Sequence, residues 1–134
     1  MLLDIDHHSG VPIYRQIMDQ IRRQVMAGQL SEGRQLMSVR ELAGRLRVNP
    51  MTVSKAYALL EVEGVLERRR GIGLFVAQLP DDQKIRTKAA LFDQIIRKAA
   101  VTAAQLGIPQ EQACRMLADL YRKYDSKGRR DSNE

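Results

Sequence analysis

Arg68, Arg69 and Arg70 form a run of three adjacent arginines, and a Gly-Ile-Gly stretch follows them. Like charges this close repel one another unless an anion compensates them. Gly71 and Gly73 can adopt positive φ or let the backbone approach a phosphate closely. The run therefore predicts either a binding site for a polyanion or a basic loop tip that serves solubility.

A second set of candidate residues lies at two expected helix starts. Ser38, with Glu41 three residues later, matches a capping box. Asn49 is a good N-cap, and Pro50 suits the first helical position because it lacks an amide hydrogen. Arg40 lies in a first turn, where the helix dipole disfavours a cation. This local penalty suggests that Arg40 has a role other than stabilising its own helix; a surface arginine paired with a nearby acid is the alternative.

Apolar periodicity predicts the helices that position these residues. Apolar residues at steps of three and four predict a first helix between Pro12 and Gly28. Leu30 to Met37 is interpreted as a connecting loop. A short second helix follows the capping box, and a third begins after Asn49 and ends at Gly64. Two capped helices separated by so short a turn indicate a helix-turn-helix.

The two β-prone runs around the basic tip predict a hairpin within residues 65–76. A hairpin directly after a helix-turn-helix is a wing. Strand alternation places Arg69 on the face opposite Arg68 and Arg70. Arg70 and Gly71 at the tip suit insertion into the minor groove of DNA, whose potential attracts arginine.

The recognition helix of a helix-turn-helix presents its N-terminal residues to the major groove. Here those residues are Pro50, Met51, Thr52, Ser54 and Lys55. The hydroxyls of Thr52 and Ser54 can bond to phosphate or base, and Lys55 can reach guanine or a phosphate. Met51 can offer only apolar contact, for instance to a thymine methyl. A solvated helix face is the alternative interpretation of the same residues.

Composition permits a polyanionic partner, since the net charge is +6 and the pI about 9.8. The single cysteine, Cys114, excludes an intrachain disulfide and fits a reducing compartment. Its place in an apolar helical pattern predicts a small core residue. The N-terminus lacks the pattern of a secretion signal, and no apolar run is long enough to span a membrane. These features predict a cytoplasmic protein.

Residues that could support enzymatic chemistry are scarce. His7 and His8 are adjacent and lack a companion at metal-ligand spacing. No nucleophile elbow, phosphate loop or carboxylate pair is evident. The sequence therefore predicts no enzyme, no metal and no cofactor.

Two further helices are predicted beyond a boundary near Pro80, separated at Gly107. We divide the chain into a winged domain at 1–78, a helical dimerisation segment at 79–126 and a flexible tail at 127–134. A two-helix hairpin is too small to bury its own apolar residues, so the surplus must pack on the winged domain or on a second chain. We predict dimerisation through Phe92, Ile95, Ile96, Ala99, Met116, Leu117, Leu120 and Tyr121.

Short motifs follow one another through residues 11–77. They include Pro12-Ile13-Tyr14, Gly28-Gln29-Leu30, Ser38-Val39-Arg40-Glu41-Leu42-Ala43, Val48-Asn49-Pro50 and Arg70-Gly71-Ile72-Gly73 with Phe75-Val76. This series resembles the DNA-binding domain of the GntR family. The short helical tail is similar to that of the YtrA-type subfamily. Two departures are Met37, where the family usually has proline, and Met51, where a polar residue is commoner. Met37 should loosen the entry to the second helix.

The resemblance implies a mainly α fold with a small β-hairpin: a winged helix-turn-helix followed by two helices. It implies a DNA-binding transcription regulator, expected to be a repressor that binds a palindromic operator in double-stranded DNA as a homodimer. It also implies that Arg40 contacts a base or phosphate at the groove edge. A small-molecule effector is left open. The alternative is a basic winged module that binds RNA or a protein partner.

Overall fold

The computed structural model describes the backbone of residues 1–132 and the side chains of residues 1–125. Its elements are α1 (Ile13–Met26), α2 (Val39–Leu46), α3 (Pro50–Val62), β1 (Leu66–Arg69), β2 (Gly73–Val76), α4 (Asp81–Gln105) and α5 (Gln110–Ser132). The chain divides into two compact units, which we call the winged unit (1–89) and the tail unit (90–134). The expected fold class, mainly α with one hairpin, is confirmed. The first turns of α4 fall in the winged unit, whereas we expected the boundary at residue 78.

The predicted helix starts are confirmed in atomic detail. The hydroxyl of Ser38 accepts a hydrogen bond from the Glu41 amide at 3.2 Å. The side-chain oxygen of Asn49 accepts one from the Met51 amide at 2.9 Å, with Pro50 as the first helical residue. Arg47 adopts left-handed backbone angles (φ 55°), which turn the chain between α2 and α3. Local capping chemistry thus fixes the helix-turn-helix.

Helices α1, α2 and α3 pack with the hairpin around one apolar core. Ile17, Ile21, Val53 and Leu60 are completely buried at its centre. Its other buried members are Met18, Leu30, Leu36, Leu42, Ala43, Ala56, Tyr57, Val65, Leu66, Leu74 and Val76. One face of α3 is therefore fixed against the core, and its opposite face is left to solvent.

Tyr57 connects this core to the entry of α2. Its hydroxyl donates a hydrogen bond to the Met37 carbonyl at 2.8 Å. Burial raises the pKa of Tyr57 above its usual range, and the nearby charge of Glu41 raises it further. The phenol therefore stays neutral and remains a donor. This bond restrains the backbone at Met37, at the entry to α2.

The segment that we interpreted as a loop, residues 30–37, is partly sheet-like. The Leu36 amide donates to the Leu74 carbonyl at 2.8 Å, and the Val76 amide donates to the Arg34 carbonyl at 2.9 Å. The loop interpretation is confirmed, because the segment contains no helix or strand. One isolated bridge, Gln35 with Phe75, nevertheless pairs it with β2, whose second edge has backbone groups that need partners. The segment satisfies them and attaches the hairpin to the start of α2.

An extended N-terminal arm, residues 1–6, docks along α1 through glutamine side chains. Each glutamine bonds to the backbone of one arm residue at 2.6 to 2.9 Å. The pairs are Gln16 with Asp6, Gln20 with Asp4, and Gln24 with Leu2. Four residues of helix advance about 6 Å and two residues of extended chain about 6.6 Å, so the two repeats match. The alternate arm residues pack against the core: Met1, Leu3 and Ile5.

Gln20→Ala is expected to lower the free energy of unfolding by about 1 kcal/mol. Gln20 both accepts from the Asp4 amide (2.8 Å) and donates to its carbonyl (2.7 Å), and alanine can do neither. Denaturant unfolding measures the change. Gln29→Ala is the matched control, since Gln29 is exposed and the hydrogen bonds described for the chain do not involve its side chain. Equal losses in the two variants would contradict the arm's contribution.

Helices α4 and α5 confirm the two predicted tail helices, with Gly107 (φ 70°) between them. Helix α5 continues to Ser132, into the segment that we predicted as a flexible tail. That segment contains no proline and a single glycine, so no residue in it forces the helix to end. Residues 133 and 134 lie outside the described residues. Over the described part of the chain, no helix has the length and apolar character needed to cross a membrane.

Candidate nucleic-acid interface

The starts of α2 and α3 form the first part of the candidate interface. We call the predicted contact residues there the helix-start surface: Arg40, Asn49, Pro50, Met51, Thr52, Ser54 and Lys55. All are exposed except Thr52, which is half-buried. The core residues of α3, such as Val53 and Tyr57, point the other way. The predicted assignment of the two faces of α3 is therefore confirmed.

Arg40 has no acidic partner among the side chains that the structure describes. The sequence left open whether Arg40 pairs with a nearby acid. Some other arginines of the winged unit do so; Arg22, for example, lies 3.0 Å from Asp19 and 2.8 Å from Glu63. The Arg40 guanidinium thus keeps its five donors for a ligand.

Lys55 is held by a contact that the sequence did not reveal. Its Nζ lies 4.0 Å from the centroid of the Tyr14 ring, within the range of a cation–π interaction. Tyr14 is half-buried in the second position of α1. The contact brings the start of α1 to the start of α3 and fixes the ammonium group beside the helix-start surface.

The hairpin that we call the wing (residues 66–76) forms the second part of the interface. Its strands pair antiparallel from Leu66 with Val76 to Arg69 with Gly73. The Ile72 amide donates to the Arg69 carbonyl at 3.0 Å and closes the tip. Gly71 occupies the tip with φ 76°, a conformation that other residues adopt only with strain. The predicted hairpin is confirmed, with Arg70 beside Gly71 at its end.

The three wing arginines have different environments. Arg68 Nε lies 3.1 Å from Glu61 Oε2 on α3. Arg69 lies 3.3 Å from Glu67 and stacks at 4.0 Å over a wing phenylalanine. Arg70 has no acidic partner among the described side chains. The repulsion argument for an external anion therefore applies to Arg70, because acids of the chain itself compensate Arg68 and Arg69.

Gln35 is a structural residue of the wing that sequence reasoning missed. Its Nε2 donates to the Ile72 carbonyl at 3.1 Å. A Cβ at Gly73 would lie 3.0 Å from the same nitrogen. The backbone at Gly73 has φ 144°, which L side chains rarely adopt, and this angle accounts for the second glycine of the tip. Gln35 thereby supports the backbone next to Arg70 and Gly71.

The predicted dimerisation residues lie in the tail unit and are exposed in the single chain, apart from the half-buried Ile96. Four of them line one apolar groove of about 830 Å³: Phe92, Leu117, Leu120 and Tyr121. Ile95, Ile96, Ala99 and Met116 are outside the lining of that groove. Cys114 also lines it and is exposed, so our prediction of a buried core cysteine was wrong for the single chain. A helix pair this small leaves its apolar face open.

Among the residues that the structure describes, no group of three or more His, Cys, Asp or Glu side chains is placed to hold a metal ion.

Curated relatives match over most of the chain. The chain is 32% identical to the HTH-type transcriptional repressor YtrA of Bacillus subtilis over 119 residues, which are 89% of this chain and 92% of that protein. It is 33% identical to the HTH-type transcriptional regulator YhcF of the same organism, over 82% of this chain and 90% of the relative. These relatives are regulators and not enzymes, as we expected for this chain.

Solved structures agree with the fold. A GntR family transcriptional regulator from Listeria monocytogenes superposes with a TM-score of 0.72 and 31% identity, over 86% of this chain and 98% of that one. A protein described as a transcriptional antiterminator from Listeria monocytogenes EGD-e superposes with a TM-score of 0.71 and 37% identity, over 91% and 90% of the two chains.

The family assignment rests on both the domain and the full length. Residues 13–76, which include the helix-start surface and the wing, match the family described as "Bacterial regulatory proteins, gntR family". The similarity to YtrA continues through the two tail helices, as the resemblance to the YtrA-type subfamily implied. The chain therefore belongs to the GntR family and is a DNA-binding transcription regulator with a winged helix-turn-helix.

Proposed function

We propose that this regulator is a repressor that binds a palindromic operator in double-stranded DNA as a homodimer. The observation that supports DNA recognition most strongly is the set of unpaired donors at two adjacent helix starts. Among the described side chains Arg40 has no acidic partner, and Thr52 and Ser54 present hydroxyls on the solvent side of α3. Base contacts provide specificity, and such side chains match the donors and acceptors of base edges.

We propose distinct roles for the contact residues. Arg40, Thr52, Ser54 and Lys55 contact bases or phosphates in the major groove. Asn49 and Pro50 place the start of α3 against the groove. Arg70 and Gly71 enter the minor groove. A narrow minor groove has an enhanced negative potential that attracts the arginine, and the glycine lets the backbone approach closely. Arg68 forms an ion pair with Glu61 and so connects the wing to α3. We propose that it contacts DNA only at the edge of the groove.

The open apolar groove of the tail unit supports the dimer. Leu117 and Leu120 remain 50% and 51% exposed in the single chain. Apolar patches of this kind are typical of protein interfaces. A two-fold dimer would place two helix-start surfaces on successive half-sites, so the operator would be palindromic. The name of the similar Bacillus protein, a repressor, supports repression. Because its proposed target is chromosomal DNA, we place the protein in the cytoplasm.

A footprint on the DNA that flanks the chain's own gene tests the proposal. We expect protection of an inverted repeat by the full-length chain. Transcripts of the same region serve as the second probe, since one similar structure is described as an antiterminator. Protection of the RNA without protection of the duplex would contradict the proposal and favour an RNA-binding module.

Arg40→Ala is expected to weaken binding to the specific duplex by about 1–3 kcal/mol and binding to scrambled DNA by much less. Arg40 is exposed and forms no ion pair with the side chains that the structure describes, so the change removes a ligand contact and little stability. Fluorescence anisotropy on both duplexes measures the difference. Arg40→Lys keeps the charge but loses the bidentate fork, so it should also lose specificity. Equal losses on both duplexes would make Arg40 a phosphate contact instead.

Arg70→Ala is expected to weaken binding to every duplex and to reduce the slope of log affinity against log salt by about 1. The reason is that Arg70 is the wing arginine without an acid of its own among the described side chains. Titrations at four or five salt concentrations give the slope. Arg70→Lys retains the charge and should restore it. An unchanged slope in the alanine variant would assign the wing tip to solubility.

A further inference from the structure

Met51 is an exposed apolar residue of the helix-start surface, which it shares with the polar side chains of Asn49, Thr52, Ser54 and Lys55. It is the second residue of α3 and is 77% exposed. Its backbone is fixed, because the Asn49 side chain caps its amide at 2.9 Å. The side chain is therefore held at the leading end of the recognition helix, and no element of the winged unit covers it.

The ligand proposed for this surface offers only one kind of apolar group. In the major groove the base edges present hydrogen-bond donors and acceptors, and the single hydrocarbon group among them is the C5 methyl of thymine. A methionine thioether is flexible and polarisable, so it can adapt to a methyl group. Its neighbours Thr52 and Lys55 can bond to polar atoms on either side.

We propose that Met51 recognises the C5 methyl of one thymine in each half-site and so determines part of the operator sequence. The inference rests on the proposed DNA-binding function. It assigns to Met51 a specificity that hydrogen bonding cannot provide. A polar side chain at this position would favour a different base, so operators of this chain should differ there from those of relatives with a polar residue.

Replacement of thymine by uracil in the operator isolates the methyl group, because base pairing is unchanged. Each thymine of a selected duplex is replaced in turn, and affinity is measured for the full-length chain. For the unaltered chain, one thymine position in each half-site should be sensitive: a single uracil there should weaken binding about four-fold, the value expected for one buried carbon. With Met51→Ala, the same replacement should have no effect, while all other uracil replacements behave as before.

Two control variants complete the test. Met51→Leu keeps an apolar side chain and should keep the sensitivity to the methyl group. Val62→Ala changes an equally exposed apolar residue at the far end of α3 and should leave the sensitivity intact. Since Met51 and Val62 are exposed, both variants should fold normally.

The possible outcomes distinguish a failure of the Met51 proposal from a failure of the proposed DNA recognition. Absence of any specific duplex would overturn the proposed DNA recognition itself. A specific duplex without a methyl-sensitive thymine would overturn only the role of Met51. The same holds if Met51→Ala remains as sensitive as the unaltered chain.

Discussion

Chains with Leu117→Asp and Leu120→Asp together are expected to sediment as monomers at micromolar concentration, where the unaltered chain sediments as a dimer. Both leucines line the apolar groove of the tail unit and are half-exposed there. Two carboxylates would have to lose their hydration in the proposed interface, which disfavours association strongly. Affinity for the full palindrome should fall by about 100-fold or more, because the second half-site contact is no longer intramolecular.

The matched control carries the same added charge outside the groove. Gln94→Asp with Gln112→Asp also introduces two carboxylates, and both positions are exposed and outside the groove lining. This variant should remain dimeric and bind the palindrome normally. A folded and dimeric Leu117→Asp, Leu120→Asp chain would show that α5 does not form the interface.

Leu60→Ala is expected to lower the free energy of unfolding by about 2–5 kcal/mol. Leu60 is completely buried, and its side chain lies in the core shared by α1, α2, α3 and the wing. Removing it leaves a cavity under the recognition helix. Urea denaturation gives the change in stability. Operator affinity should fall as well at temperatures where the variant is partly unfolded.

Leu59→Ala provides an adjacent control with the same chemical change. Leu59 is 37% exposed and lies outside the buried core. Its replacement should cost clearly less than that of Leu60, because much of its surface already contacts water. Similar losses at the two positions would contradict the placement of α3 against the core.

The helix-turn-helix could be predicted because its determinants are local. Ser38 and Asn49 cap amides two or three residues away, so their effect follows from spacing alone. Gly71 at the wing tip is a second local signal, because a glycine between two strands predicts the positive φ that the structure shows there. The helix-start surface and the wing followed directly from these signals. Their contacts with DNA remain predictions.

The parts that the sequence did not predict depend on residues far apart in the chain. Lys55 stacks over Tyr14, and Gln35 bonds to Ile72, so each contact joins different elements of the fold. The distance between the partners along the sequence does not indicate that they meet. The arm along α1 is different. The glutamines at every fourth position of α1, and the alternating apolar residues before them, form a signal that was present but not recognised.

The apolar residues of α4 and α5 show a third limit. Their spacing predicted helices correctly, but a pattern of apolar residues does not say what buries them. The single chain leaves the groove around Leu117 open.

Selection of binding sites from a pool of random duplexes tests the central claim most directly. The full-length chain is incubated with the pool, bound duplexes are amplified, and the enriched sequences are aligned. We predict an inverted repeat with half-site centres roughly one helical turn, about 10 base pairs, or a multiple of it apart. The selected duplex should bind at least about 1,000-fold more tightly than a scrambled one at physiological salt. Enrichment of no common sequence, with equal affinity for selected and scrambled duplexes, would contradict the account.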